Sequence, residues 1–145
     1  MTLFRRTAAL LATTVVGSCS STAPTAPNGF LTGAWFRGNT AEYMTITLTS
    51  SGGTVEGTVL DVWIASPIQA KGTVTGTYGG GGFTLTLTFP PGTQRWFGDK
   101  ATLTGHVVTS SLGDDDELQG EWRQTAPADS LIGDFLFTRQ PAGDP

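Results

Sequence analysis

Cysteine and histidine are almost absent from this chain of 145 residues, which contains one of each. With Cys19 alone, no intramolecular disulfide can form, and the thiolate and imidazole ligands of a zinc site are missing. No glycine-rich phosphate loop or Gly-x-Ser-x-Gly nucleophile turn occurs in the sequence. We therefore expect no metal site, no cofactor and no catalytic residues, and we predict that the protein is not an enzyme.

Long apolar runs and a surplus of positive charge are also missing. The apolar part of residues 7–18 is shorter than the roughly 20 residues that span a bilayer. Arg5 and Arg6 precede it and small residues follow it, which is the pattern of a cleavable secretory signal. Without that signal, six basic residues remain against 12 acidic ones, a net charge of −6. Because an acidic surface repels phosphate backbones, we expect no nucleic-acid partner.

The residues Val16-Gly17-Ser18-Cys19 resemble the lipobox of bacterial lipoproteins. The resemblance implies that Cys19 receives a diacylglyceryl group, that cleavage occurs before it, and that the new amine is acylated. Two or three acyl chains hold a protein firmly at a membrane. Ser20 resembles the residue that sorts lipoproteins to the outer membrane. We therefore expect a lipid-anchored protein of the cell envelope, at the outer membrane if the organism has one. The alternative is a chance cysteine beside a simple signal cleavage site.

Composition divides the chain into four predicted segments. Residues 1–18 form the signal peptide. Residues 19–30 comprise the lipidated Cys19 and a flexible tether, since the sequence after Cys19 is small, polar and broken by prolines. Residues 31–140 form one β domain, and residues 141–145 form a disordered tail.

Apolar and polar residues alternate through the β domain. Met44, Ile46 and Leu48, for example, are separated by threonines, which predicts strands with one buried and one wet face. Short connections between such strands favour an eight-stranded antiparallel up-and-down β-barrel, with a two-sheet β-sandwich as the alternative. The predicted strands are 31–37, 41–50, 54–62, 68–78, 83–89, 99–108, 117–125 and 133–139.

A short repeat supports the barrel. Its form is aliphatic-x-Gly-x-bulky. Because residues of a strand alternate between its two faces, all three defined positions are predicted to face the barrel interior. Glycine at such a position lets a strand coil sharply and leaves room for a large neighbour. The repeat occurs at Leu31–Trp35, Val55–Val59, Val74–Tyr78, Leu103–Val107 and Leu118–Trp122. This placement predicts that Trp35 and Trp122 are structural core residues.

The pattern resembles the calycins, the group of eight-stranded barrels that includes lipocalins and avidins. Gly33-Ala34-Trp35 is similar to the Gly-x-Trp of the first calycin strand. Leu31–Trp35 and Leu131–Arg139 are similar to the opening and closing strands of avidins. The resemblance implies a calycin-like barrel in which Arg139 packs over Trp35 at the closed end.

The residues with which avidins bind biotin are not carried over to this chain. The resemblance therefore implies the barrel without biotin binding, because a buried urea group would lose most of its hydrogen-bond partners. The positions that correspond to the biotin-binding residues are occupied by Arg37, Val59, Asp61, Asp99, Ala101 and Phe135.

Aromatic residues distinguish one end of the predicted barrel. The connections after the third and fifth strands contain tryptophan and phenylalanine, whereas those after the second, fourth and sixth are tight or solvated turns. Since the chain enters at the opposite end, we expect the aromatic loops to surround a mouth that faces away from the tether. Inward-facing polar residues near this mouth complete a candidate ligand site. The candidate residues are Arg37, Asp61, Trp63, Trp96, Phe97, Asp99 and Gln124.

Two hypotheses for function follow. In the first, a small, partly apolar ligand binds at the mouth, Arg37 anchors an anionic or carbonyl group, and Trp63 and Trp96 cover it. In the second, the barrel is filled and ligandless, and the same loops make it an interaction or structural module of the envelope. Arg37 then only pairs with an aspartate at a solvated rim, and the aromatic residues plug the barrel or contact a partner protein. The volume left inside the barrel distinguishes the two.

Overall fold

The computed structural model describes residues 30–65, 69–93, 98–109, 116–126 and 128–141. Its eight strands pair antiparallel with their neighbours in chain order, and the last strand returns to the first to close a barrel. The up-and-down barrel is therefore confirmed and the sandwich is not formed. The strands are β1 (Gly33–Gly38), β2 (Glu42–Ser51), β3 (Thr54–Trp63), β4 (Gln69–Gly79), β5 (Gly82–Thr88), β6 (Lys100–Val108), β7 (Glu117–Ala126) and β8 (Ser130–Arg139).

The last strand is longer than its sequence pattern predicts. It begins at Ser130 instead of residue 133 and already pairs there with Gln124. The pairing then shifts, because Arg123 lies opposite Leu131 whereas Trp122 lies opposite Gly133. This β-bulge breaks the period-two alternation on which the prediction depended.

Four of the five glycines of the repeat, Gly57, Gly76, Gly105 and Gly120, lie where the backbone of a neighbouring strand approaches closely, whereas Gly33 faces the Arg139 side chain. A Cβ atom on Gly57 would be 2.0 Å from the carbonyl oxygen of Thr47, and one on Gly105 would be 2.0 Å from that of Gln119. Gly105 pairs directly with Gly120, so two residues without side chains lie opposite each other on β6 and β7. The repeat therefore marks close approaches of backbone, as its glycine spacing indicates.

Apolar side chains fill the interior of the barrel. They form one core cluster among the described residues, and its largest members are completely buried. Close packing of this kind leaves little empty volume along the barrel axis. The largest fully buried side chains are Trp35, Phe137, Leu31, Met44, Ile46, Leu48, Leu85, Leu87, Leu103, Leu118 and Val55.

One end of the barrel is closed by the segment that leads into β1. The Arg139 guanidinium lies 4.2 Å from the centre of the Trp35 ring, which is the packing that the calycin resemblance implies. It also donates to the carbonyl oxygens of Phe30 and Thr32, each at 2.7 Å, and contacts Asp116 at 3.2 Å. Phe30, which the sequence analysis places in the tether, stacks on Tyr78 with 5.5 Å between the ring centres. The described residues include no helix long and apolar enough to cross a membrane.

Candidate ligand site at the open end

Three charged side chains converge at the end of the barrel opposite Trp35 and Arg139. Met44 on β2 pairs with Arg37 on β1 and with Asp61 on β3, so these two residues flank it on the inner surface. Glu42 lies two residues before Met44 on the same face of β2. The three residues form a charged layer, Arg37–Glu42–Asp61, above the apolar core.

Asp61 is the most deeply buried charged residue of the described chain, with 0% of its surface exposed. Burying a carboxylate is costly unless the group is hydrogen-bonded or paired. The carboxyl group of Glu42 supplies such a hydrogen bond. A carboxyl–carboxyl contact of this kind requires a proton between the two groups, since two carboxylates repel each other.

The electrostatics of Glu42 follow from this contact. Burial raises the pKa of Glu42 above its ordinary value of 4.5, and the charge of Asp61 and the hydrogen bond to it raise the pKa further. Arg37 acts in the opposite direction through its positive charge. Glu42 therefore keeps its proton to a higher pH than an exposed glutamate, and donates it to Asp61.

Within the charged layer, Arg37 is the residue that contacts the core beneath it. Its guanidinium carbon lies 4.6 Å from the centre of the Trp122 ring, in a cation–π contact. Trp122 is buried, as its place in the glycine repeat predicts. The Trp122 ring therefore lies directly against Arg37, the only cation of this layer.

A cavity of about 30 Å³ lies beside the charged layer. The turn before β2 shapes it, because the Asn39 side-chain oxygen accepts hydrogen bonds from the backbone N–H groups of Ala41 and Glu42 at 2.8 and 3.0 Å. The cavity is lined by Arg37, Gly38, Asn39, Glu42 and Met44.

The structure brings together two of the four inward polar residues predicted for this site. Arg37 and Asp61 belong to the charged layer, and the burial of Asp61 excludes a solvated rim pair there. Asp99 and Gln124 instead bind loop backbone. The Asp99 carboxylate accepts from the Gly92 N–H at 2.9 Å, and the Gln124 amide donates to the Ala128 carbonyl at 3.0 Å.

The aromatic candidates are placed only in part. Trp63 is half-buried at the end of β3 and pairs in register with Glu42. Trp96 and Phe97 lie outside the described residues. Among the described residues, no group of three or more histidine, cysteine, aspartate or glutamate side chains is placed to hold a metal ion.

Glu42 is the site residue that sequence reasoning missed. A charged residue at the first position of a strand ordinarily faces solvent. The available signal was its parity, because Glu42 shares the inward face with Met44, Ile46 and Leu48. Its contact with Asp61 depends on the pairing of β2 with β3, which the parity of one strand does not show.

A solved structure with the same architecture is that of a rhizavidin–biotin complex. The two share 15% sequence identity at a TM-score of 0.56, over 83% of this chain and 100% of rhizavidin. The chain has the avidin-type barrel fold. At this identity, the similarity establishes the fold and leaves the chemistry of the site to the residues that are present. No protein-family model and no curated protein sequence matches the chain.

Proposed function

We propose that this chain is an exported lipoprotein whose avidin-type barrel binds a small, partly apolar ligand at its open end. The observation that supports this most is the charged layer Arg37–Glu42–Asp61. This layer adds little stability to a barrel that is otherwise filled with apolar side chains, because the desolvation cost of a buried ion pair often equals or exceeds its Coulomb attraction. A titratable group with a displaced pKa, here Glu42, at the mouth of a barrel beside other charged groups is typical of binding sites.

The rim above this layer offers an apolar surface for the rest of the ligand. Ile64, just after β3, is 59% exposed. Trp63 lies half-buried between Ile64 and the charged layer along the chain. In this proposal, the charged layer orients the polar head of the ligand and the rim contacts its apolar body. The ligand binds shallowly, because the interior beneath Trp122 is filled.

Native mass spectrometry of the full chain from cell-envelope extract tests the proposal. We expect extra mass that disappears on denaturation, and its loss from an Asp61→Asn variant. Glu56→Gln is the matched control, because Glu56 lies exposed on the outer face of the same strand, β3. A variant that loses ligand must retain the β-rich circular dichroism spectrum of the parent chain. Ligand-free masses for the parent and the control chain alike would contradict the proposal.

The ligandless module is a second candidate, and the filled core favours it. The cavity beside the charged layer is small, at about 30 Å³. The exposed Ile64 then forms part of a surface for an envelope protein. Crosslinking from a photoreactive residue at position 64 tests this candidate, which requires one discrete crosslinked protein and a ligand-free barrel.

We further propose that Cys19 carries the lipid anchor and holds the barrel at the cell envelope. Cys19→Ser removes the acceptor thiol while leaving the apolar signal unchanged. The expected result is loss of acyl mass and release of the chain from the membrane fraction. A chain that stays with the membranes after this substitution would show that another segment holds it there. Separation of inner from outer membranes tests the predicted outer-membrane location.

A further inference from the structure

The barrel is closed along only part of the seam between its first and last strands. β8 pairs with β7 from Ser130 to Thr138, but with β1 only at Thr138 and Arg139. Among the described residues, the edge of β8 that faces β1 therefore has no strand partner from Ser130 to Phe137. A groove opens where the β1–β8 ladder stops, and it is lined by Phe36, Arg37, Gly38, Leu136 and Thr138.

Main-chain hydrogen-bonding groups point into this gap. In an antiparallel ladder, successive residues direct their N–H and C=O groups to opposite neighbouring strands. The Gln140 N–H donates to the Ala34 carbonyl on β1 at 2.8 Å. Leu136 and Asp134 lie an even number of residues before Gln140, so their N–H and C=O groups face the same side. No strand of the described chain meets these groups, which makes this part of β8 an open sheet edge.

The outer face beside the open edge is apolar at its ends and acidic between them. Of the three large apolar side chains that are exposed among the described residues, two lie on β8, Leu131 and Leu136. Asp134 lies between them and pairs in register with Glu121 on β7, and both side chains are exposed. Like charges directly opposite each other are destabilising. The ion pairs of the described residues join other side chains, so this carboxylate pair has no cation within ion-pair distance there.

We infer that the open edge of β8 binds an extended segment of another protein, which adds an antiparallel strand and places a lysine or arginine opposite Asp134. Main-chain hydrogen bonds then hold the segment and its side chains determine the specificity, as is general for strand addition. The positive charge offsets the repulsion between Asp134 and Glu121, and an apolar residue two positions before it covers Leu136. These contacts lie on the outer wall of the barrel, so the inference does not depend on a ligand in the charged layer.

The charge at the edge also distinguishes such a segment from a second copy of this chain. Two copies paired antiparallel, edge to edge, would bring both Asp134–Glu121 pairs onto one face of a continuous sheet. Four carboxylates on one face repel each other, and charged residues on open edges commonly prevent self-pairing in this way. Asp134 therefore disfavours a copy of its own edge and favours a strand of opposite charge.

Seven-residue peptides test the inference on the full chain in detergent. Threonine and valine alternate in them, with valine two positions either side of a central lysine or glutamate, and a dye at the amino end reports binding by fluorescence anisotropy. We expect the lysine peptide to bind about tenfold more tightly than the glutamate peptide. Asp134→Lys should reverse this order. Glu56→Lys is the matched control, because it makes the same charge change on β3, which is paired on both sides, and it should leave the order unchanged.

Methylation of the peptide main chain separates strand addition from simple charge attraction. A methyl group on the nitrogen of the central lysine removes the hydrogen bond to the Asp134 carbonyl oxygen, so binding should weaken by about tenfold or more. The same methyl group on the next residue points away from β8 and should have much less effect. Both peptides carry the same charge, so attraction without strand pairing predicts equal affinities.

Three results would overturn the inference: no binding of the lysine peptide, an order of affinities that Asp134→Lys leaves unchanged, or equal effects of the two methyl groups. A dimer of the parent chain that the lysine peptide dissociates, seen by analytical ultracentrifugation, would also overturn it and identify a second copy as the occupant. The peptide comparisons on the parent chain stand as a test even if Asp134→Lys does not fold. The native mass measurement decides the proposed ligand binding independently of all these results.

Discussion

The Arg37 guanidinium lies over the Trp122 ring, with 4.6 Å between its central carbon and the ring centre. The two residues come from β1 and β7, which are not neighbours in the barrel wall. Their contact therefore crosses the interior and marks the level at which the apolar core ends. Below it the barrel is filled, and above it lie the carboxyl groups of Glu42 and Asp61.

Removing the Arg37 side chain should expose the Trp122 ring, at the boundary of the apolar core, to water. Arg37→Ala is expected to shift tryptophan emission to longer wavelength, because solvent reaches Trp122. Loss of the cation–π contact should also lower the free energy of unfolding by about 0.5–2 kcal/mol. Fluorescence and urea denaturation measure the two effects. The control is Arg123→Ala, which removes an exposed ion pair with Asp129 worth about 0–1 kcal/mol. Unchanged emission in Arg37→Ala would mean that the guanidinium does not shield the ring.

The raised pKa of Glu42 predicts a direction of pH dependence. The folded chain holds this proton above pH 4.5, where the unfolded chain has released it. The stabilisation from Glu42 is therefore fully present below pH 4.5 and is lost as the pH rises through the pKa of the folded state. Glu42→Gln retains a hydrogen-bond donor and has no charge to acquire. Urea denaturation at pH 4.5 and 7.5 should show a smaller loss of stability in the variant than in the parent, and equal losses would refute the assignment.

The glycine repeat predicts a large penalty where two backbones meet. Gly105→Ala places a Cβ 2.0 Å from the Gln119 carbonyl oxygen, so β6 and β7 must separate. We expect a loss of about 1–3 kcal/mol in the free energy of unfolding. Gly79→Ala is the matched control, since a Cβ there has no neighbour within 4 Å, and it should change stability by less than about 0.5 kcal/mol. Equal effects of the two substitutions would show that close approach is not the role of the repeat.

At the closed end, Arg139 should not be replaceable by lysine. The guanidinium donates to two carbonyl oxygens and to the Asp116 carboxylate while covering Trp35. An ammonium cannot reproduce this planar arrangement of donors. Arg139→Lys is expected to cost about 1–3 kcal/mol, measured by thermal denaturation. A melting temperature equal to that of the parent would show that the positive charge alone is sufficient.

The alternation of residues such as Phe83, Leu85 and Leu87 with threonines determined the number of strands and their inner faces. Period-two patterning is a local property, since one strand alternates whichever strand pairs with it. Local patterning also placed Arg37 and Asp61 on the inner face. It failed at the start of β8, where a bulge at Ile132 interrupts the alternation.

The sequence by itself thus determined an antiparallel β domain, its apolar interior and the residue types available at its mouth. The tertiary structure decided that β8 closes onto β1, that Glu42 reaches Asp61, and that the side chains of Asp99 and Gln124 form hydrogen bonds with loop backbone. These outcomes depend on register between strands and on loop backbone, which place residues far apart in sequence within hydrogen-bonding distance. A pattern read along one strand contains no information about either.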